Sequence, residues 1–217
     1  MIIIRPLIEA LGKIIKLPKN SYLHPTTLGS GTPSASNWLR GDGSWQPTNY
    51  GLFAQTANST AVTATTTEGT LIDGGVGSLI IPANGFSVGD SFAASLSGII
   101  SAKNNDTLRI RVKAGSVVLG DTGAITLPGI TAKHWGLEIH FTVRAIGAAG
   151  VASIITSGQL TYSKNASNAF EGADFSTINN TTFSTTTSNT LDITAQWGSN
   201  DPLNSIYTEF FVLNKTY

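Results

Sequence analysis

The sequence predicts an all-β protein, an antiparallel two-sheet β-sandwich, and three observations support that prediction. Residues 134–145 alternate strictly, with apolar residues at odd positions and polar residues or glycine at even positions. A period of two gives a strand with one buried face, whereas a helix would scatter these apolar residues around its circumference. Gly, Thr, Ser and Asn are abundant, as in short strands joined by tight turns. With 41% hydrophobic residues, the chain can bury a core.

Composition also limits the function. Of the 217 residues only 12% are charged, and 13 basic residues balance 13 acidic ones, which argues against nucleic-acid binding through phosphate neutralisation. The absence of cysteine excludes disulfides, thiolate metal sites and a cysteine nucleophile. No apolar run reaches the roughly 18 residues of a membrane span. A sheet protein without disulfides would gain stability from oligomerisation, which motivates a homotrimer hypothesis.

Residues 1–19 predict a short amphipathic helix that ends near Pro18. Its apolar stripe consists of Ile4, Leu7, Ile8, Leu11 and Ile14. Two heptads are marginal in water, so the stripe must dock on something. An anchor into a partner, or a helical bundle between copies, is favoured because a linker follows. Packing against the chain's own body and binding at a membrane surface are the alternatives.

Residues 20–49 predict an extended connector, because Gly and Pro are frequent and periodicity is weak. Within it, Asp42-Gly43 predicts a tight turn, and Trp38 and Trp45 would pin its ends to an apolar surface. The tripeptide Arg40-Gly41-Asp42 also fits an integrin-binding motif, but the turn is the favoured interpretation.

The connector carries a resemblance to a known group of proteins. The phrase Trp38-Leu39-Arg40-Gly41-Asp42-Gly43-Ser44-Trp45 resembles the (F/Y)LRGDGTW segment that recurs in bacteriophage tail-fibre and other virion fibre proteins. There it usually follows a GTP-S phrase, as at residues 31–34 here, and precedes a β domain. Trp38 replaces the usual Phe or Tyr, and Ser44 replaces Thr. The resemblance implies a phage structural protein and leaves its position on the virion open.

Residues 50–217 predict the β-sandwich domain. Its expected strands are 50–56, 59–65, 68–72, 76–81, 90–101, 107–114, 115–120, 122–127, 134–146, 151–163, 189–197 and 205–215. Hairpin turns are expected at 57–58, 73–75, 120–121 and 147–150, where Asn, Asp, Gly or Ala residues interrupt the alternation. Every second residue of the long strands should face the core.

Five phrases of this body resemble a C-terminal jelly-roll domain of phage fibre and other virion proteins. They are Gly89-Asp90-Ser91-Phe92, LRIRVKAG at 108–115, WGLEIHFTVRAIGAAG at 135–150, NTLDITAQWG at 189–198 and NSIYTEFFVLNKT at 204–216. The resemblance implies a jelly roll that is trimeric and exposed on the particle.

Residues 164–188 are rich in Asn, Ser and Thr and predict a long loop, with at most a short strand near 175–184. Four aromatic residues lie in or beside it and form a possible recognition loop: Tyr162, Phe170, Phe175 and Phe183. They would stack on sugars or plug a neighbouring copy, or else cap the chain's own core.

No reactive constellation is recognised, so no catalytic residue, cofactor or metal is predicted. No serine lies in a G-x-S-x-G elbow, and no carboxylates are paired at glycosidase spacing. His134 and His140 would lie about 20 Å apart on one strand, too far to share a metal.

A basic row is predicted on one strand, formed by Arg109, Arg111 and Lys113. A second polar row consists of Glu138, His140 and Arg144. If the two strands pair, the rows are cross-strand charge partners; otherwise an inter-subunit or anionic-ligand contact is the alternative.

Together these features predict a non-enzymatic phage virion protein on the particle surface. It would be a trimeric head fibre, decoration or short tail-fibre protein that joins capsid or tail through its N-terminal arm. Its head would serve host attachment or reinforce the shell. The alternative is a carbohydrate-binding receptor-recognition module of a tail tip, and a capsule depolymerase is a third, disfavoured class.

Overall fold

The structure, a computed structural model, describes part of the chain. The described residues are Ser30, 37–39, Gly43, 45–47, 51–165, 169–179 and 181–217. The anchor helix predicted over 1–19, with Ile4, Leu7, Ile8, Leu11 and Ile14, lies outside them, as do Arg40, Gly41 and Asp42 of the connector phrase. The chain divides into two compact units, Met1–Asn49 and Tyr50–Tyr217.

A short hairpin occupies the connector phrase. Strand β1 (Asn37–Leu39) pairs antiparallel with β2 (Trp45–Pro47), and Leu39 lies opposite Trp45. Gly43 lies between the strands with φ +76°, a conformation that glycine adopts without steric cost. The described residues of the connector therefore reverse direction between β1 and β2.

The second unit is built from strands, and no helix occurs in its described residues. The strands are β3 (Phe53–Gln55), β4 (Val62–Thr63), β5 (Gly69–Thr70), β6 (Gly75–Gly77), β7 (Ile80–Ile81), β8 (Ser91–Ala102), β9 (Asp106–Ala114), β10 (Val117–Asp121), β11 (Ile125–Leu127), β12 (Ile130–Ala145), β13 (Ser153–Ser163), β14 (Phe170–Asn179), β15 (Asn189–Trp197) and β16 (Ser205–Lys215). The predicted all-β class is confirmed.

These strands form two antiparallel sheets. The larger sheet has the order β14-β13-β12-β8-β16-β3-β6, with β4 also pairing with β16. The smaller has the order β10-β9-β15-β5, with β11 on β9 and β7 on β15. One hydrophobic core contains residues of both sheets, which makes the fold β-sandwich-like.

The alternation predicted for the long strands is confirmed. On β12 the side chains of Trp135, Leu137, Ile139 and Val143 are completely buried, and the polar residues between them face outward. On β8 and β9 every second residue is likewise buried. Burying one such large apolar side chain contributes about 1.5–3 kcal/mol, so these three strands supply much of the driving force for folding.

Three of the four predicted hairpins are wrong, because in each of them the flanking segments run in the same direction along one longer strand. Strands β3 and β4 both pair with β16 instead of with each other. Similarly, β5 and β7 pair with β15, while β10 and β11 both pair with β9. Gly120 and Asp121, for example, lie inside β10 and form no turn. A short strand gains more by joining a long buried strand than by pairing with another short one. The hairpin of β12 and β13 around 147–150 is confirmed.

The long loop predicted over 164–188 is also wrong in its first half. Strand β14 spans ten residues and pairs with β13 from Ile154–Asn179 to Ser163–Phe170. Its inward positions include small and polar residues such as Ala173 and Thr177, so the period of two is weak in the sequence. Pairing with β13 supplies the missing backbone hydrogen bonds and decides the structure.

Candidate functional site

The outer face of the larger sheet carries a shallow depression across β13 and β14. Its volume is about 320 Å³, and it is lined by Gln159, Leu160, Thr161, Phe170, Glu171, Gly172, Ala173 and Asp174. Strand register brings these residues together: Gln159 lies opposite Asp174, and Thr161 lies opposite Gly172. Because Gly172 has no side chain, the centre of the depression remains low.

The rows of this depression continue onto β12. Glu138 pairs with Gln159, and Gly136 pairs with Thr161. One row therefore presents carboxylate and amide groups from Glu138, Gln159 and Asp174, and the adjacent row presents two glycines and one hydroxyl. Glu138 Oε1 accepts a hydrogen bond from Ser95 Oγ on β8. A row of polar side chains therefore borders a row with little side-chain volume.

An aromatic ring stands at one end of the depression. Phe170 is 73% exposed, the most exposed large apolar side chain of the described residues after Tyr217. On the other face of β13 and β14, Tyr162 donates a hydrogen bond to Glu171 Oε2 at 2.7 Å, and Lys164 Nζ lies 2.6 Å from Glu171 Oε1. Hydrogen bonds from Lys164 and Tyr162 lower the pKa of Glu171, while burial and the bond to Glu171 raise the pKa of Tyr162.

The four aromatic residues of the predicted recognition loop do not form one surface. Tyr162 and Phe183 are buried in the core, and the Phe183 ring lies 5.7 Å from Phe86. Phe175 is half-buried, and its ring occupies the space beside Gly120 and Gly158. Only Phe170 is open to solvent. Three of the four thus cap the chain's own core.

Sequence reasoning missed Gln159, Thr161 and Asp174 as neighbours of Phe170. The sequence does not indicate that they are neighbours, because the sequence predicts a loop at residues 169–179. Without a predicted strand there is no strand pairing from which to infer which residues lie opposite each other. Once β14 is paired with β13, their proximity follows from the alternation of side chains across a strand.

The basic row on β9 has different partners from those predicted. Strands β9 and β12 belong to different sheets, so the row does not face Glu138, His140 and Arg144. Arg109 instead makes two parallel hydrogen bonds with Asp121, at 2.8 Å from Nε and 2.5 Å from Nη2. Arg111 Nη1 lies 3.2 Å from Glu68 Oε2, and Lys113 Nζ lies 3.5 Å from Glu68 Oε1. The positive charges are therefore neutralised within the chain.

This charge network should make stability depend on pH. Burial would raise the pKa of Glu68, but Thr194, Lys113 and Arg111 outweigh it and lower that pKa. At Asp121, burial would likewise raise the pKa, but Arg109, the Gly123 N–H and Arg111 outweigh it, and the pKa is lowered. A carboxylate with a lowered folded pKa stabilises the fold above its unfolded pKa, about 4 for Asp and Glu, and loses this effect as pH falls through the folded value.

We therefore expect the urea midpoint of unfolding to fall between pH 6 and pH 3. In Glu68→Gln the decline should be shallower, since one of the responsible carboxylates is gone. The matched control is Glu209→Gln, which removes an exposed carboxylate on β16 and should leave the slope unchanged. Equal slopes for wild type and Glu68→Gln would contradict the role given to this network.

The histidines are placed as predicted: His134 and His140 lie on the outer face of β12 and are exposed. Among the described residues, no group of three or more His, Asp or Glu side chains is arranged to hold a metal ion. None of these residues belongs to a helix that is long and apolar enough to cross a membrane.

The described part of the chain is thus a β-sandwich-like protein. Its surface carries a depression with the exposed ring of Phe170 at one end, and the basic row on β9 is neutralised by carboxylates of the same chain. Comparison with known proteins found no matching family model, no matching curated protein and no matching solved structure.

Proposed function

We propose that this chain is a non-enzymatic structural protein of a bacteriophage virion. It forms a homotrimeric head fibre, decoration or short tail fibre that displays the β-sandwich for host attachment or shell reinforcement. The observation that carries the proposal is the phrase at 38–45, which resembles virion fibre connectors and contains a hairpin between β1 and β2. A β domain follows it, as in those proteins.

The strand order supports the finer proposal that the head is a jelly roll. In the larger sheet β3, β16, β8 and β12 are successive neighbours, and in the smaller sheet β5, β15, β9 and β10 are. Strands from the two ends of the domain are neighbours: β3 pairs with β16, and β5 pairs with β15 inside that pair in the chain order. Two Greek keys in a jelly roll have this nested arrangement. The hairpin of β13 and β14 extends the larger sheet beyond this arrangement.

The outer face of β8 supports assembly into a trimer. Its outward residues are Ser91, Ala93, Ser95, Ser97, Ile99 and Ser101, none of which is charged. Interface cores are depleted in charged residues, so a small, uncharged face on the central strand of the larger sheet suits subunit packing.

Attachment to the particle is tested by copurification. The full chain, tagged at its C-terminus and expressed in infected cells, should retain a capsid or tail protein of the phage. Replacing Leu7 and Leu11 by Asp should release that partner, since the apolar stripe over 1–19 is the proposed anchor. Recovery of the tagged chain without any particle protein would contradict the proposal.

A second candidate function, glycan recognition, is favoured by the depression beside Phe170. An exposed ring stacks on the apolar face of a sugar, while Gln159, Thr161 and Asp174 offer hydrogen-bonding groups for its hydroxyls. We expect Phe170→Ala to weaken binding on a glycan array by about tenfold or more. Ile178→Ala, which removes another exposed apolar side chain of β14, is the matched control and should bind normally. Absence of binding by the wild-type chain would eliminate this candidate.

A further inference from the structure

A cavity between the two sheets is distinct from every surface described above. Its volume is about 210 Å³, and segment 78–86 forms one of its walls. This segment is fastened to both sheets: Ser78 N donates to Leu52 O at 2.7 Å, and Leu191 N donates to Leu79 O at 2.8 Å. The wall lies between β6 in the larger sheet and β15 in the smaller one.

The lining is almost entirely apolar. Large side chains come from the wall and from both sheets, among them Leu79, Phe86, Phe92, Leu119, Phe141 and Leu191. Two polar side chains of the lining, Asp90 and Asn189, already have partners. Asp90 accepts from Ser87 N at 2.9 Å and pairs with Lys215 Nζ at 2.7 Å, and the Asn189 amide donates to two backbone carbonyls at 2.9 Å.

These partners make the cavity a poor site for water. A buried water needs two to four hydrogen-bond partners, and the cavity's carboxylate and amide groups are engaged elsewhere. Apolar cavities of about 150 Å³ stay dry and bind benzene, so a cavity of about 210 Å³ is large enough for a single substituted ring. Burying that ring removes its apolar surface from water.

The lining selects for neutral ligands. The Lys215 side chain is 46% exposed and also lines the cavity, so it lies where the cavity meets solvent, with the Asp90 carboxylate beside it. These two groups neutralise each other and leave no free counterion for a ligand. A charged ligand would lose its hydration among apolar side chains without gaining a partner, whereas a neutral ligand avoids this cost.

We propose that this cavity is a binding site for a small neutral apolar molecule, one aromatic ring or a hydrocarbon chain of similar volume. The ligand enters at the rim beside Lys215, where the cavity meets solvent, and packs against segment 78–86. The site is independent of the virion role and of the surface beside Phe170.

The test is titration of the full chain with toluene, benzyl alcohol, benzoate and benzylamine. Binding is measured from the changes in amide chemical shifts in NMR spectra. Toluene and benzyl alcohol should bind with 1:1 stoichiometry and shift the amides of segment 78–86 and β15, and the two charged compounds should bind at least about tenfold more weakly. Absence of toluene binding near its solubility limit would overturn the proposal. Equal binding of benzoate would overturn the selection for neutral ligands.

Variants locate the binding inside the cavity. Ala114→Leu fills the space from β9 and should weaken toluene binding by about tenfold or more. Leu79→Phe fills it from the opposite wall and serves as the second variant if Ala114→Leu does not fold. Leu191→Ala enlarges the cavity and should bind naphthalene, for which no binding to the wild type is expected. Val118→Ala, an exposed position on β10, is the control. Toluene binding that both filling variants leave unchanged would place the ligand elsewhere and overturn the proposal.

Discussion

Replacing Gly98 by alanine is expected to destabilise the protein by about 3 kcal/mol or more. Gly98 faces the core from the middle of β8, and a Cβ atom there would lie 2.1 Å from Tyr207 O and 2.9 Å from Thr208 Cα. Both atoms belong to the backbone of β16, so no side-chain rotation relieves the overlap. The main chains of β8 and β16 would have to separate.

The reason for this close approach is visible on both sides of Gly98. On one side, Thr208 pairs with Gly98 and Phe210 pairs with Ser97, which leaves a bulge in β16 at Glu209. On the other side, Trp135 pairs with Gly98 and donates its indole N–H to Tyr207 O at 3.1 Å. The indole of β12 therefore passes over β8 to reach β16, and a side chain at position 98 would obstruct it.

Chemical denaturation of Gly98→Ala measures this effect, with Ser157→Ala, an exposed position on β13, as the control. Ser157→Ala should change the free energy of unfolding by no more than about 0.5 kcal/mol. Where space is available, Gly→Ala stabilises by about 0.4–1 kcal/mol through the unfolded chain, so the sign of the change is decisive. A Gly98→Ala protein as stable as the wild type would contradict the packing described for β8.

Replacing Trp197 by alanine is expected to cost about 3–5 kcal/mol. Trp197 ends β15 in the smaller sheet and is 1% exposed, and its indole N–H donates to Val62 O at 2.9 Å. Val62 lies on β4, which pairs with β16 of the larger sheet. This side chain therefore links the two sheets by a buried hydrogen bond as well as by packing.

Trp197→Phe separates these two contributions. It keeps most of the apolar volume and removes the hydrogen bond, so a loss of about 1–3 kcal/mol is expected. Phe210→Ala, at a position 49% exposed, is the control and should be close to neutral. The measurement is guanidinium unfolding followed by circular dichroism. Trp197→Phe with wild-type stability would show that the inter-sheet bond contributes nothing.

The long strands could be predicted from the sequence because their burial has one simple cause. On β8, β9 and β12 one whole face is apolar, and only the strand period places such residues on one side. The short strands β3 to β7 have too few residues to show any period, and their partners lie far along the chain. Local turn residues therefore predicted hairpins at 57–58, 73–75 and 120–121, whereas the flanking strands continue along β16, β15 and β9.

The functional surfaces were less predictable for a related reason. As an aromatic residue in a polar stretch, Phe170 can be recognised in the sequence, but its exposure and its neighbours depend on the register of β14 against β13. Likewise, the partners of Arg109 and Arg111 depend on which sheet β9 joins. Register and sheet membership arise from the whole core, and no short segment encodes them.

Multi-angle light scattering of the full chain tests the proposed virion assembly most directly. The monomer mass is 22.7 kDa, and a homotrimer predicts a single species of three times that mass that persists on dilution. Ser95→Arg and Ser97→Arg on the uncharged outer face of β8 should dissociate it while each subunit keeps its β-sheet circular dichroism. A stable species of 22.7 kDa for the wild-type chain at micromolar concentration would contradict the account.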